Sequence, residues 1–413
     1  MEGVYSNTCK HNGLSAIDYG TAKRSTGGSA FGYVCEELNK YELQQQYDYC
    51  LIDEAQDFPT SFYRVCRQIV RRNRVIWAYD DFQNILHVKM QDEKETFGKD
   101  VNGDYYIDFA RKEDELQDLV LHKCYRNPRK ILITAFALGL GVYNKLRDGG
   151  YQMIQRLENN EHWESLGFKV KEGDSSDGSK MVIERKEENS SGIKNSLLES
   201  NSIIRIYKAE KFREELDFIV DSILEDLGKE LRPEDISVVC MDNINVKKYF
   251  DYIQNRLEQN KINCFNLLNV ASNNKIYKVK DHVTLSTIYN AKGNESGKVY
   301  IAGIDTVFSK RNDITERNKI FTAMTRSVAW VTMSGVGAAV DYCMDEVSKL
   351  IENNFELVFT QPSEKDVTTI RQGIDTTQKL LNKIERLAED LVKETGVSKD
   401  EIVDQLKLKF FKK

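Results

Sequence analysis

The sequence predicts an α/β protein built on parallel sheets with helices on both faces. Short runs rich in β-branched and aromatic residues recur along its 413 residues, separated by helix-like stretches. Strands joined by helical crossovers pair in parallel and need a helical layer on each side. A third observation concerns chemistry. The run YDYCLI stops abruptly at Asp53, Glu54, Gln56 and Asp57, and open sheets of this kind bind ligands beyond their C-terminal strand ends.

In chain order, YDYCLI (47–52) and RVIWAY (74–79) read as strands, with a helix from Ser61 to Arg72 between them. Further strands are expected at IIRIY (203–207), ISVVC (236–240), INCF (262–265), VTLST (283–287), KVYIAGI (298–304) and AWVTMSG (329–335). Residues 156–202 are polar and rich in Glu, Ser, Gly and Asn, the composition of exposed loops in an insertion between domains. From Val367 through Ile370, Ile374, Thr377, Leu381, Ile384 and Ala388 to Leu391, apolar or small residues follow a 3-4 spacing. That spacing predicts one helical stripe of coiled-coil type. Gly396 would end it, and Ser398 with Glu401 would start a last short helix.

Hydrophobic residues make up 40% of the chain, charged residues 30%, and the net charge is −6. This is a globular balance rather than a disordered one. No apolar run approaches the roughly 18 residues that span a bilayer, so no membrane partner is expected. The first residues, MEGVYSNTCKHNG, lack the regions of a signal peptide. Eight cysteines are scattered without a CxxC pair, as expected for reduced thiols in a cytoplasmic protein. The basic run Arg64, Arg67, Arg71, Arg72 and Arg74 reads as a solvated helix face.

The acids at 53–57 have two readings. An Asp at a strand tip can hold Mg²⁺, largely through water, and a neighbouring Glu can orient and deprotonate an attacking water. Alternatively the acids cap the next helix, a role that suits Asp57.

LIDEAQD resembles motif II, the Walker B element, of superfamily 1 helicases of the UvrD/Rep type, and four more motifs follow in that family's order. AYDDFQNIL (78–86) resembles motif III through Asp80 and Gln83, with Tyr79 in place of a glycine. HKCYRNPRKI (122–131) resembles motif IV through Tyr125 and Arg126, with Cys124 replacing an asparagine. LSTIYNAKGNESGKVYI (285–301) resembles motif V through Thr287, Lys292, Gly293 and Glu295, while Tyr289 and Asn294 depart from it. NKIFTAMTRSVAWVTMSG (318–335) resembles motif VI through Ala323, Thr325 and Arg326.

The resemblance implies RecA-like P-loop NTPase sheets and an ATP-dependent helicase or translocase acting on single-stranded DNA, with ATP and Mg²⁺ as cofactors. It implies Asp53 at the metal, and Glu54, Gln83, Arg126 and Arg326 as catalytic residues. Tyr125, Gly293 and Glu295 would join Asp53 in binding ATP, with Thr287 and Lys292 at the nucleic acid. The implied domains are a partial first RecA-like unit (1–110), a second (111–362) with a polar insertion near 150–202, and a helical tail (363–413).

Motif I, G-x-x-x-x-G-K-[ST], supplies the phosphate cradle in such proteins. No such element occurs in the 52 residues before Asp53, and GDSSDGSKM (173–181) places Ser before Lys in the polar insertion. The expectation is a fragment inactive by itself, either a truncated product, a split protein whose partner polypeptide brings the cradle, or a decayed ATPase. The alternative is a non-catalytic binding or regulatory subunit.

Overall fold

The computed structural model describes residues 2–26, 29–85, 93–107, 120–191, 203–270 and 276–370. Its centre is a six-stranded sheet of β6 (Ile204–Ala209), β7 (Ile236–Cys240), β8 (Asn263–Asn266), β9 (His282–Thr287), β10 (Ser296–Ala302) and β11 (Ser327–Val336). The strand order is β6-β11-β10-β7-β9-β8. Every pair is parallel, as the helical crossovers predict.

Alternation along the strands feeds two cores. Val238, Cys240, Tyr300 and Ala302 face the helices Phe212–Gly228 and Val246–Gln259. Val239, Val299 and Ile301 face the opposite layer, made by the helices Arg129–Leu140, Ile314–Met324 and Ala339–Glu352. Covered on both sides, such strands read as continuous apolar runs. Helix Arg129–Leu140 is buried almost throughout and ends at Gly141 in the left-handed region, φ 63°. A Cβ there would lie 2.6 Å from Ile154 Cγ1, so only glycine fits.

The segment bearing the acids forms a smaller body. β1 (Cys50–Ile52) and β2 (Val75–Trp77) pair in parallel, Leu51 opposite Ile76. Ile52 and Val75 pack with Phe62, Val65, Cys66 and Ile69 of the helix Thr60–Ile69. This helix is shorter than its sequence suggests. Val70 turns extended and bridges to Tyr47, then Arg72 and Asn73 take left-handed backbone angles.

The arginines here are not a bare solvated face. Arg64 donates to the Glu95 and Thr96 carbonyls, Arg67 stacks on Tyr106, Arg71 pairs with Asp48 and Arg74 lies over Tyr49. All eight cysteines are unpaired thiols.

The polar stretch after residue 150 departs from the loop expectation. It holds β3 (Gln155–Leu157), a helix (Asn160–Ser165), β4 (Phe168–Glu172) and β5 (Lys180–Arg185). β4 and β5 form an antiparallel sheet with β12 (Leu357–Thr360). Trp163, Phe168, Met181 and Ile183 join the main core. Lysines and glutamates around these buried residues disguised the strands; among the described residues, the turn at 173–179, apart from buried Ser175, and the segment 186–189 remain the loops expected. Beyond β12, Thr368–Ile370 form β13, parallel to β3. Val367 lies in a bend and Ile370 in a strand, so neither starts the predicted helical stripe; its residues from Ile374 to Leu391, with Gly396, Ser398 and Glu401, lie outside the described residues.

Candidate functional site

The carboxylate tip is shaped by backbone first. Ala78 donates to the Ile52 carbonyl and Ala55 to the Ala78 carbonyl, extending the β1–β2 pairing one step beyond the strands. Glu54 then adopts a left-handed conformation, φ 50°, uncommon for a residue with a Cβ. Asp53 Oδ1 accepts from the Glu54 amide at 2.9 Å, and Asp53 itself is exposed. Buried Gln56 donates to Glu54 Oε2 at 2.7 Å and accepts from the Asp80 amide at 3.0 Å. It thereby fixes the Glu54 carboxylate against the second acidic segment.

Asp80 accepts from Gln83 Nε2 at 2.7 Å and from the Phe82 amide at 3.0 Å. Loss of water raises its pKa above the ordinary carboxylate value, and these hydrogen bonds offset part of the rise. Phe82 inserts between Phe136 and Phe321, with ring centres 4.9 and 5.1 Å away. The segment after β2 is thus seated on the core of the large sheet.

From the large sheet, two cations reach these acids and amides. Arg326, 1% exposed, donates to Gln83 Oε1 at 2.7 Å and to the Thr322 carbonyl at 3.0 Å. Among the described residues no carboxylate pairs with it. Burial, then repulsion from Arg126, lowers its pKa to about 10. Lys292 pairs with Asp57 at 2.7 Å and Glu54 at 3.4 Å, and donates to the Gln83 carbonyl at 2.8 Å. Asp57 is therefore not the cap of Thr60–Ile69. Pro59 holds the N-cap position without a side-chain bond, and Asp57 faces the cleft instead. Desolvation raises its pKa, with Lys292 pulling the other way.

The other expected residues surround this centre. Arg126 Nε pairs with Glu295 Oε2 at 2.6 Å. Gly293 has φ 78°, and a Cβ on it would stand 3.9 Å from Glu54 Oε1. Thr287 accepts from the Asn290 amide and caps the short helix Ile288–Ala291. Tyr125 is 79% exposed, with Lys123 5.2 Å from its ring, so core packing is not its role. The structure thus joins Glu54, Gln83, Lys292 and Arg326 in one network with Asp53 beside it, and places Lys292 among carboxylates rather than on an open nucleic-acid surface.

Three contributors were not recognised as site residues from sequence. Gln56 and Asp57 look like ordinary continuations of an acidic turn. Asn127 is buried and donates to the Thr325 and Ser327 carbonyls at 3.0 and 2.6 Å, tying the Tyr125–Arg126 segment to Arg326. Its place beside Tyr125 and Arg126, just before Pro128, was the available signal.

Fold and site define a parallel α/β protein with acids and arginines gathered at the junction of two sheets. Residues 282–334, from β9 into β11, match the family model of the UvrD-like helicase C-terminal domain, which relates this part of the chain to helicases. Two solved structures resemble parts of it. One is the C-terminal domain of a possible DNA helicase from Lactobacillus plantarum WCFS1, with 12% identity and a TM-score of 0.27, covering 40% of this chain and 84% of that one. The other is Arterivirus nonstructural protein 10, a helicase, in complex with DNA, with 11% identity and a TM-score of 0.24. That match covers 34% of this chain and 33% of the other, so it spans about a third of the viral protein. No curated protein matches the sequence. Among the described residues, no helix is long and apolar enough to cross a membrane.

Proposed function

We propose that the cleft binds and hydrolyses ATP in a UvrD-like motor that moves on single-stranded DNA, with the phosphate cradle supplied by a polypeptide segment outside these 413 residues. The observation that carries this reading is Arg326. A buried guanidinium whose cross-sheet partner is a neutral amide is a costly arrangement, and the charge-assisted hydrogen bonds of a phosphate relieve it.

The other residues fit the same chemistry. Asp53 offers a hard, exposed carboxylate oxygen, which suits a Mg²⁺ ion that keeps most of its waters. Bound Mg²⁺ would neutralise charge on the phosphates. Glu54, oriented by Gln56, would take a proton from an attacking water. Arg126 and Arg326 would donate to the phosphate oxygens, and Gln83 would pass the change at Arg326 to Phe82 and the large sheet. The exposed Tyr125 ring would stack on the base.

The absence of a G-x-x-x-x-G-K-[ST] element from the 413 residues favours a second reading, a binding or regulatory subunit without turnover. Titrating fluorescent ATP and ADP analogues against the wild type and Arg326→Gln, with the cradle supplied in trans, tests the motor reading, and phosphate release in the same system separates it from a subunit without turnover. The motor reading expects Arg326→Gln to weaken triphosphate binding more than diphosphate binding. Equal, unchanged affinities for both nucleotides would reject it.

A further inference from the structure

Phosphate binding leaves one cation of the cleft unexplained. Lys292 has a side chain only 7% exposed, and its ammonium is shared among Asp57, Glu54 and the Gln83 carbonyl. Those three acceptors belong to the small body, whereas Lys292 follows β9 of the large sheet. The turn after it is built for close approach, since Gly293 has φ 78° and passes beside Glu54.

We infer that Lys292 is a protein-borne cation that latches the two sheets together at the carboxylate tip, and that the Lys292 ammonium and a divalent cation exclude each other there. The inference rests on reading Asp53 and Glu54 as the cation-bearing tip of the proposed ATP site. Asp53 Oδ1 touches the Glu54 amide, and Glu54 Oε2 lies 3.4 Å from the Lys292 Nζ. A divalent ion that took Glu54 Oε2 as well as Asp53 would share that oxygen with the ammonium, and like charges brought to one oxygen repel strongly even when partly screened.

The ion's arrival would therefore drive Lys292 off Glu54 and weaken the contact between the sheets. Coupling of this kind is reciprocal: whatever holds the sheets apart favours the ion, and whatever closes them expels it. Lys292 would then act as a positioning residue that reports the loading of the cleft to Gly293 and Glu295, beside Arg126.

The test uses the whole chain and Mn²⁺ alone, with bound ion measured by electron paramagnetic resonance and backbone opening by hydrogen exchange. Lys292→Gln should tighten Mn²⁺ binding about tenfold or more, the effect of removing one nearby charge. Lys292→Arg should bind as the wild type does. So should Lys298→Gln, which removes an ion pair to Asp226 elsewhere. In the wild type, Mn²⁺ should speed exchange of the Gly293–Glu295 amides.

Mn²⁺ binding to Lys292→Gln that is no tighter than to the wild type would overturn the inference. So would wild-type exchange at 293–295 that Mn²⁺ leaves unchanged or slows. If Lys292→Gln does not fold, the wild-type exchange experiment decides alone. Failure to bind ATP when the phosphate cradle is supplied in trans would reject the motor reading while leaving both Mn²⁺ measurements interpretable.

Discussion

Arg326 donates a 2.7 Å hydrogen bond to the side-chain amide of Gln83, 243 positions earlier in the chain. The bond crosses between the two sheets, and its donor is buried while its acceptor is neutral. Gln83 also accepts from Lys292 through its backbone carbonyl and donates to Asp80. One residue therefore contacts two cations of the large sheet, Arg326 and Lys292, and Asp80 of the small one.

Removing Arg326 should expose this arrangement's purpose. With a phosphate cradle supplied in trans, Arg326→Ala is expected to lower ATP turnover about a thousandfold or more, as loss of an arginine finger does. Glu54→Gln in the same system should abolish turnover and spare nucleotide binding. The chain alone should hydrolyse ATP little or not at all. A coupled phosphate-release assay checks all three, and robust turnover by the isolated chain that vanishes in Glu54→Gln would refute the need for an external cradle.

Tyr125 should behave in the opposite way to a core residue. At 79% exposed, its replacement by Ala is expected to change unfolding free energy by no more than about 0.5 kcal/mol, the usual range for surface sites. Adenine-nucleotide affinity should fall even so, through loss of stacking. Calorimetric unfolding beside nucleotide titration separates the two effects. A large stability loss would mean the ring packs after all.

Arg185 should prove structurally costly to remove. It is 2% exposed and donates to the Leu166, His122 and Asn189 carbonyls and to Ser190 Oγ, with burial lowering its pKa to about 10. Gly167 makes room for this junction, because a Cβ there would sit 2.2 Å from the His122 carbonyl oxygen. Arg185→Met removes the donor to the Leu166 and His122 carbonyls and Ser190 Oγ, while the Asn189 carbonyl keeps the Cys124 amide, and each buried loss costs about 1–3 kcal/mol. Destabilisation of roughly 3 kcal/mol or more is expected in denaturant titrations. Faster hydrogen exchange at 122–127 should accompany it, since Arg185 holds the segment leading to Tyr125 and Arg126.

What could be read from sequence follows from how local each signal is. ISVVC matches β7 end to end, because a strand covered on both faces is an uninterrupted apolar run bounded by polar residues. FKVKE escaped notice because its apolar residues interleave with lysines, and KMVIER because its three consecutive buried residues, Met181 to Ile183, sit in a stretch otherwise rich in charge. Glu54, Gln83 and Arg326 could be picked out because each stands in a motif. Asp57 was assigned to its neighbouring helix because capping is a local rule, whereas its partner Lys292 lies 235 positions away. No spacing along the chain encodes a contact that only the meeting of two sheets creates.

The last prediction concerns pH and a buried acid away from the cleft. Glu215 is 0% exposed; it accepts from Tyr249 Oη at 2.6 Å, the Gly303 amide at 2.9 Å and Ser334 Oγ at 2.9 Å. None of these donors carries a charge. Desolvation raises its pKa above 4.5, and the three hydrogen bonds recover only part of that cost. The sign follows from linkage. A carboxyl with a raised folded-state pKa binds more protons in the folded than in the unfolded state, so stability falls as pH rises from the unfolded value towards the raised one, and is then level. Glu215→Gln keeps the shape and removes the titration. Its amide oxygen can accept from Gly303 and Ser334, and its NH₂ can donate to Tyr249, whose hydroxyl then acts as acceptor. The variant should therefore gain stability relative to the wild type as pH rises above about 4.5, with the gain constant once the wild-type carboxyl is ionised. Melting temperatures of both proteins at pH 5 and pH 8 measure it. A variant whose relative stability is greater at pH 5 than at pH 8 would show that the ionised form of Glu215 is the one the fold prefers.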